Sequence, residues 1–161
     1  MVLFVLYVKA ELENVETLAA PPLHRWCLDV TEPRGDERRE AVFVSDEEVV
    51  DVAGGRGAAH FTLKWPGATK AATLTVVRDV KKLTRAVTGE DSGAFVPLVG
   101  FECRGLEPCA WHPESGYRVV SAGRHAAFSD VDLSDDWAEY DEEGEQSVGV
   151  YGVEWKFEVH K

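Results

Sequence analysis

The sequence has few cysteines and no apolar run long enough to cross a membrane. Its 161 residues include three cysteines, Cys27, Cys103 and Cys109. An odd and sparse set excludes a disulfide framework and is typical of reduced thiols. The apolar start at residues 2–8 is too short for a membrane span and lacks the flanks of a signal peptide. We therefore expect a cytoplasmic protein with no membrane segment.

Positive charge is also scarce, and the excess of negative charge is local. The net charge is −12, and nine acidic residues with no Lys or Arg lie between Ser129 and Glu145, which leaves −3 for the rest of the chain. Binding to phosphate backbones requires clustered Lys and Arg, so the composition argues against a nucleic-acid partner. The acidic stretch suits either a basic protein partner or a solvated loop.

Apolar residues that alternate with polar ones predict short strands throughout, and no window has helical periodicity. The final segment has the clearest period of two, with Val153, Trp155, Phe157 and Val159 alternating with charged residues. We predict one domain over 1–161, a monomer with an all-β, mainly antiparallel fold that is a β-sandwich or barrel-like. The main strand candidates are Val2–Leu12, Arg25–Val30, Ala72–Val80, Phe95–Cys103 and Val148–Val159.

Two pairs of segments suggest an internal repeat. Residues 10–16 align with 101–107, and residues 26–30 align with 155–159. The pattern predicts two related β halves, 1–85 and 94–161, that superpose on each other and pack face to face.

A glycine-rich run at residues 54–57 surrounds Arg56. Glycines permit positive φ, and such a run can form a nest of N–H groups for an anion. The Lys-Ser/Thr of a phosphate-binding loop is missing, so nucleotide binding is not indicated. The run is either a loop that holds a carboxylate through Arg56 or a structural turn.

Several segments in one order resemble a known eukaryotic family. They are Gly54-Gly55-Arg56-Gly57, Phe101-Glu102-Cys103-Arg104-Gly105-Leu106-Glu107-Pro108, Phe128-Ser129-Asp130-Val131-Asp132-Leu133 and Ser147-Val148-Gly149-Val150-Tyr151. This order resembles the CXXC-motif-containing zinc-binding proteins, a family of unknown function. The resemblance implies a small β-rich protein with one zinc held by two C-x-x-C pairs, which is a closed structural site.

Both cysteine pairs are missing from this chain. By position they should fall on Glu32-Pro33-Arg34-Gly35 and Trp65-Pro66-Gly67-Ala68, and neither segment contains a cysteine. We therefore predict no metal and no cofactor, with the zinc site lost. Both segments remain turns by composition, and we expect Trp65 to pack over the vacated site because a large aromatic side chain buries a large area.

An alternative is a relocated zinc site on Cys103, Cys109 and His112. Their spacing matches no recognised zinc pattern, and alternation within its strand directs Cys103 towards the core.

No nucleophile, base or carboxylate pair stands out, so we predict that the protein is not an enzyme. The favoured interpretation is a binding or adaptor protein whose recognition surface is the acidic stretch with its aromatic residues. Alternatives are a small-ligand-binding β protein with an internal cavity and a hydrolase-like enzyme. The candidate binding residues are Arg56, Arg104, Asp130, Trp137, Tyr140, Asp141, Glu142, Glu143 and Tyr151.

Overall fold

A computed structural model describes residues 1–47, 49–51 and 58–160. Within these ranges the chain forms fifteen strands and two single-turn 3-10 helices, Gly89–Asp91 and Ala122–Arg124, and no helix could cross a lipid bilayer. The strands are β1 (Val2–Glu13), β2 (Val15–Ala19), β3 (Trp26–Thr31), β4 (Arg38–Val44), β5 (Val50–Asp51), β6 (Ala58–Ala59), β7 (Phe61–Leu63), β8 (Ala72–Val77), β9 (Val87–Thr88), β10 (Val96–Arg104), β11 (Glu107–Trp111), β12 (Tyr117–Ser121), β13 (Ala127–Val131), β14 (Trp137–Asp141) and β15 (Gln146–His160).

Four sheets organise these strands. The largest has the order β14-β15-β1-β10-β8-β7, and the others are β13-β12-β2-β9, β11-β3-β4 and β5-β6. Every strand pairing in the described chain is antiparallel. The prediction of an all-β, mainly antiparallel fold is confirmed.

The hydrophobic core lies where the three larger sheets meet. Strand β1 is central, because it pairs with β10 on one side and β15 on the other. Trp26 of β3, Phe101 of β10 and Tyr117 of β12 come from different sheets and pack edge to face, with ring centroids 5.9 and 6.2 Å from that of Trp26. Such aromatic contacts hold the sheets in one relative orientation.

Strand β3 departs from the one-sided pattern that its sequence suggests. Residues 26–30 are all buried, including Cys27 and Asp29 on the face expected to be polar. Strand β3 is the middle strand of its sheet. Groups from β4 and from His112, which follows β11, cover the face that holds Asp29.

The acidic segment is not the loop that its composition predicts. It contains β13 and β14, with Val131 and Leu133 anchored in the core. Alternation explains the difference, because a strand can bury one apolar face while its carboxylates point into water.

Strands from the two predicted halves interleave. Each of the three larger sheets combines strands from both sides of residues 85–93. The halves therefore do not form separate sheets, and their superposition stays a prediction.

Candidate functional site

The first of the two turns that should carry a cysteine pair is closed by its own backbone. The Glu32 N–H donates to the Glu37 carbonyl at 2.9 Å, and the Gly35 N–H donates to the Glu32 carbonyl at 3.3 Å. A Cβ added at Gly35 would overlap the Glu32 carboxylate. A side chain at position 35 would therefore require the flexible Glu32 side chain to move aside.

Beside this turn, a buried carboxylate links three strands. Asp29 of β3 is 3 % exposed and accepts hydrogen bonds from Arg38 Nη2 at 2.6 Å and the Ala41 N–H at 2.8 Å, both in β4. His112, which directly follows β11, contacts the same carboxylate through Nε2 at 2.7 Å. Burial by itself would raise the pKa of Asp29, but these hydrogen bonds outweigh it and hold the pKa below its usual value.

This Asp29 network was not predictable from the sequence. Its only local signal was a charged residue inside a strand that is otherwise apolar. Arg38 and His112 are 9 and 83 residues away along the chain, so no spacing motif identifies them as partners of Asp29.

The second turn is pinned by its aromatic residue. Trp65 is 5 % exposed, and its indole N–H donates to the Gly105 carbonyl at 2.7 Å. The Ala68 N–H closes the turn by donating to the Trp65 carbonyl at 3.0 Å. Trp65 is therefore buried, and its position over a vacated zinc site stays a prediction.

The two turns border the same bend between β10 and β11. Trp65 is bonded to Gly105 within that bend, and Glu107 at its end lies opposite Thr31, which directly precedes the first turn. Gly105 has φ of +71°, a conformation that favours glycine. The family-like segment that contains Gly105 thus lies between the two places where the cysteine pairs are expected.

The side chains in these turns do not suit a four-thiolate zinc site. The first turn offers one carboxylate beside an arginine, and Trp65–Ala68 offers no side chain that zinc uses as a ligand. Across residues 1–47, 49–51 and 58–160, no three His, Cys, Asp or Glu side chains are grouped to hold a metal ion.

The residues of the alternative zinc set are divided between two sheets. Cys103 lies in β10 of the six-stranded sheet, and burial raises the pKa of its thiol to about 12. The prediction that it faces the core is confirmed. Cys109 and His112 instead both contact Asp29, the thiol through the Asp29 carbonyl at 3.5 Å.

The acidic surface is formed by eight exposed carboxylates around strand β14. Within the described ranges, none of them forms a salt bridge with Lys, Arg or His. Tyr140 lies among them and is 55 % exposed. The acidic surface consists of Asp130, Asp132, Asp135, Asp136, Glu139, Glu142, Glu143 and Glu145.

Asp141 is set apart from this surface. It is 1 % exposed and accepts hydrogen bonds from the Gly144 N–H at 2.9 Å and Gln146 Nε2 at 2.9 Å. These bonds lower the pKa of Asp141, with the Gly144 N–H as the largest cause. The carboxylate therefore shapes the turn between β14 and β15.

The aromatic candidates anchor the neighbouring strands. Trp137 is half-buried and packs edge-on against Phe128 of β13, with ring centroids 5.3 Å apart. The hydroxyl of Tyr151 donates to Glu13 Oε1 at 2.9 Å, which links β15 to β1. Of the predicted aromatic site residues, Tyr140 is the most exposed.

The two arginine candidates lie elsewhere. Arg104 is exposed at the end of β10, opposite Thr73. Within the described ranges it forms no ion pair with the acidic surface. Arg56 lies outside the described residues.

Comparisons with known proteins agree with the sequence resemblance over nearly the whole chain. The model of the eukaryotic CXXC motif containing zinc binding proteins matches residues 5–158. The chain is 34% identical to a UPF0587 protein of Nematostella vectensis over 98% of each chain. It is 32% identical to the CXXC motif containing zinc binding protein of Homo sapiens, over 94% of this chain and 95% of that protein.

Solved structures share the fold. The crystal structure of C1orf123 matches with a TM-score of 0.86 and 30% identity, over 97% of this chain and 98% of that chain. A hypothetical protein from Plasmodium falciparum matches with a TM-score of 0.89 and 27% identity, over 98% of this chain and 100% of that chain. The chain belongs to the eukaryotic family of CXXC motif containing zinc-binding proteins.

Proposed function

We propose that this chain is a zinc-independent binding or adaptor protein that takes a basic protein partner on its acidic surface. The observation that carries the proposal is the set of eight exposed carboxylates without ion-pair partners in the described chain. These carboxylates all fall within residues 130–145, and a cationic partner would offset their shared negative charge.

The position of β14 supports an extended segment as the partner. This strand is at the edge of the six-stranded sheet, paired only with β15 among the described strands. An edge strand presents unpaired N–H and C=O groups to which an extended peptide can add. Glu139 and Tyr140 are exposed on the same strand and would contact alternate side chains of the peptide.

The reactive groups of the described chain favour a non-catalytic role in the cytoplasm. The Asp29 carboxylate is occupied by three hydrogen bonds, and burial raises the pKa values of all three thiols, so that they are poor nucleophiles. The three cysteines are free, which suits a reducing compartment.

The zinc-independent part of the proposal rests on the two turns. The Asp29 network supports the first turn, and the Trp65 hydrogen bond supports the second, so protein groups provide links where the family has a metal. Elemental analysis of the purified protein tests this part. We expect no stoichiometric zinc and no change in the urea midpoint with a chelator, and one tightly bound zinc per chain would overturn it.

Binding is tested with an alternating lysine–valine peptide that carries a fluorescent label. We expect saturable binding that weakens as salt is added, because the contacts are exposed and screened. The triple variant Glu139→Gln/Glu142→Gln/Glu143→Gln should weaken binding several-fold, at roughly 0.2–1 kcal/mol for each lost ion pair.

A matched control separates the acidic surface from net charge. The variant Asp36→Asn/Glu37→Gln/Glu90→Gln removes three exposed charges elsewhere and should retain the affinity of the unmodified protein. An equal loss in both variants, or binding that does not depend on salt, would contradict the assignment of this surface.

A further inference from the structure

A pocket of about 220 Å³ lies where the three larger sheets meet. Its apolar wall combines Ala20, Ala86 and Leu98, and its polar groups come from Trp26, Arg78 and Arg85. The volume is several times the ~30 Å³ that one water molecule occupies in the liquid. The pocket is therefore large enough for a small organic molecule.

The Trp26 side chain lines the pocket, although its indole N–H is itself buried. Trp26 is 1 % exposed, and its Nε1 has no hydrogen-bond partner among the described residues, as is also true of Trp111. A buried donor without a partner is destabilising and is rare in folded proteins. The rings of His24, Phe101 and Tyr117 hold the indole in place, so its N–H signal can report a change in the adjoining pocket wall.

Both arginines have N–H groups that are not used in hydrogen bonds within the described chain. Arg78 donates from Nε to Asp46 at 2.8 Å and from Nη2 to the Pro21 carbonyl at 2.7 Å. Arg85 donates from Nη1 and Nη2 to Asp91 at 2.7 and 2.9 Å. Within the described chain, Nη1 of Arg78 and Nε of Arg85 make no hydrogen bond.

The two carboxylates fix the guanidinium groups and offset their charge. The remaining polar groups of the two arginines are donors only, which is the complement of an acidic oxygen. We propose that this pocket binds a small organic anion, either a carboxylate or a phosphate monoester with an apolar body, whose oxygens accept from Arg78 and Arg85 beside the Trp26 ring. This site is separate from the acidic surface and does not depend on it.

Titration of the nitrogen-15-labelled protein with benzoate tests the proposal directly. The chain has five tryptophans, and Trp26→Phe identifies the indole N–H signal of Trp26 by its loss. We expect that signal to move and saturate with benzoate, and to stay in place with benzamide, which has a similar shape but no charge. A parallel titration with phenyl phosphate shows whether the site prefers a carboxylate or a phosphate group.

Variants assign the contacts. Arg78→Gln should weaken benzoate binding about tenfold, the effect of losing one hydrogen bond to a charged group. Ala86→Leu should abolish binding by filling the pocket while every donor remains. Arg118→Gln is the control, because Arg118 is exposed on β12 and does not line the pocket. Unchanged signals from the other indoles show that each variant is folded.

Three results would overturn the proposal. They are an unchanged Trp26 signal with both anions, an equal response to benzamide, and an equal weakening by Arg118→Gln and Arg78→Gln. Exchange of the indole proton with water without any anion effect would show that solvent fills the pocket.

Discussion

The indole N–H of Trp65 donates a 2.7 Å hydrogen bond to the carbonyl oxygen of Gly105, forty residues away. Trp65 begins the turn where the second cysteine pair is expected, and Gly105 lies in the bend beside the other turn. One side chain therefore ties the second turn to the segment that also borders the first. This contact shows that a side chain holds together the chain segments around the two turns.

We predict that Trp65→Phe destabilises the protein by about 1 kcal/mol, because it removes the hydrogen bond and keeps most of the buried area. Trp65→Ala should cost about 3–5 kcal/mol, since it also leaves a cavity. Urea unfolding measures both effects. The control is Trp155→Phe on the exposed part of β15, and a similar effect there would contradict a special role for Trp65.

Asp29→Asn should lower the free energy of unfolding by about 2 kcal/mol at neutral pH, because charge-assisted hydrogen bonds to Arg38 and His112 are lost. Asp132→Asn is the control, since Asp132 is exposed and bonds only within its own turn. Urea unfolding measures the stability of both variants. Equal stabilities would contradict the role of the Asp29 network.

The Asp29 carboxylate also makes the stability of the protein depend on pH. The pKa of Asp29 is lower in the folded protein than its ordinary value. Its stabilising contribution is therefore present above the unfolded-state pKa and is lost as the pH falls through the folded-state pKa. The stability difference between the unmodified protein and Asp29→Asn should shrink in acid, as followed by urea unfolding at several pH values.

A second pH effect comes from His24. Burial, the largest cause, lowers the pKa of His24 from 6.5 to about 4. The unfolded chain then binds one more proton than the folded protein between these values, so stability falls as the pH drops from 6.5 towards 4. We expect a loss of about 3 kcal/mol over this range, at roughly 1.4 kcal/mol for each pH unit.

His24→Phe should flatten that part of the profile, as measured by urea unfolding at half-unit pH steps. His125→Gln alters an exposed histidine and should keep the slope. If His24→Phe retained the full slope, another group would have to carry the effect.

Within the acidic segment, we predict that Asp141→Asn lowers the urea midpoint, whereas Glu142→Gln/Glu143→Gln does not. The first change weakens the hydrogen bonds that hold the turn before β15, and the second alters exposed charges only. An unchanged midpoint for Asp141→Asn would contradict the structural role. Binding studies of the acidic surface should therefore leave Asp141 intact.

Most of the strand pattern was predictable because alternation is visible over a few residues. The first strand, predicted as Val2–Leu12, is Val2–Glu13, and the last, predicted as Val148–Val159, is Gln146–His160. Alternation did not show how far a face is buried. In β15 the apolar residues at 153–159 are only partly covered, while Val148 and Val150 are fully buried.

The net charge also did not determine the secondary structure of the acidic segment. Nine acidic residues within a stretch of seventeen residues suggested a loop. Two strands lie there instead, because a few apolar side chains are enough to anchor them. Composition likewise placed Asp141 with its acidic neighbours, although it is the buried one.

By itself, the sequence determined the β class and the family, because strand alternation, turn residues and motif order are properties of short segments. It also shows that the chain contains no C-x-x-C pair. Only the tertiary structure decided that Asp29 holds strands around the first turn, that Trp65 ties the second turn to Gly105, and that Trp26, Arg78 and Arg85 line one pocket. The physical reason is that burial and hydrogen bonding depend on contacts between strands that are far apart along the chain.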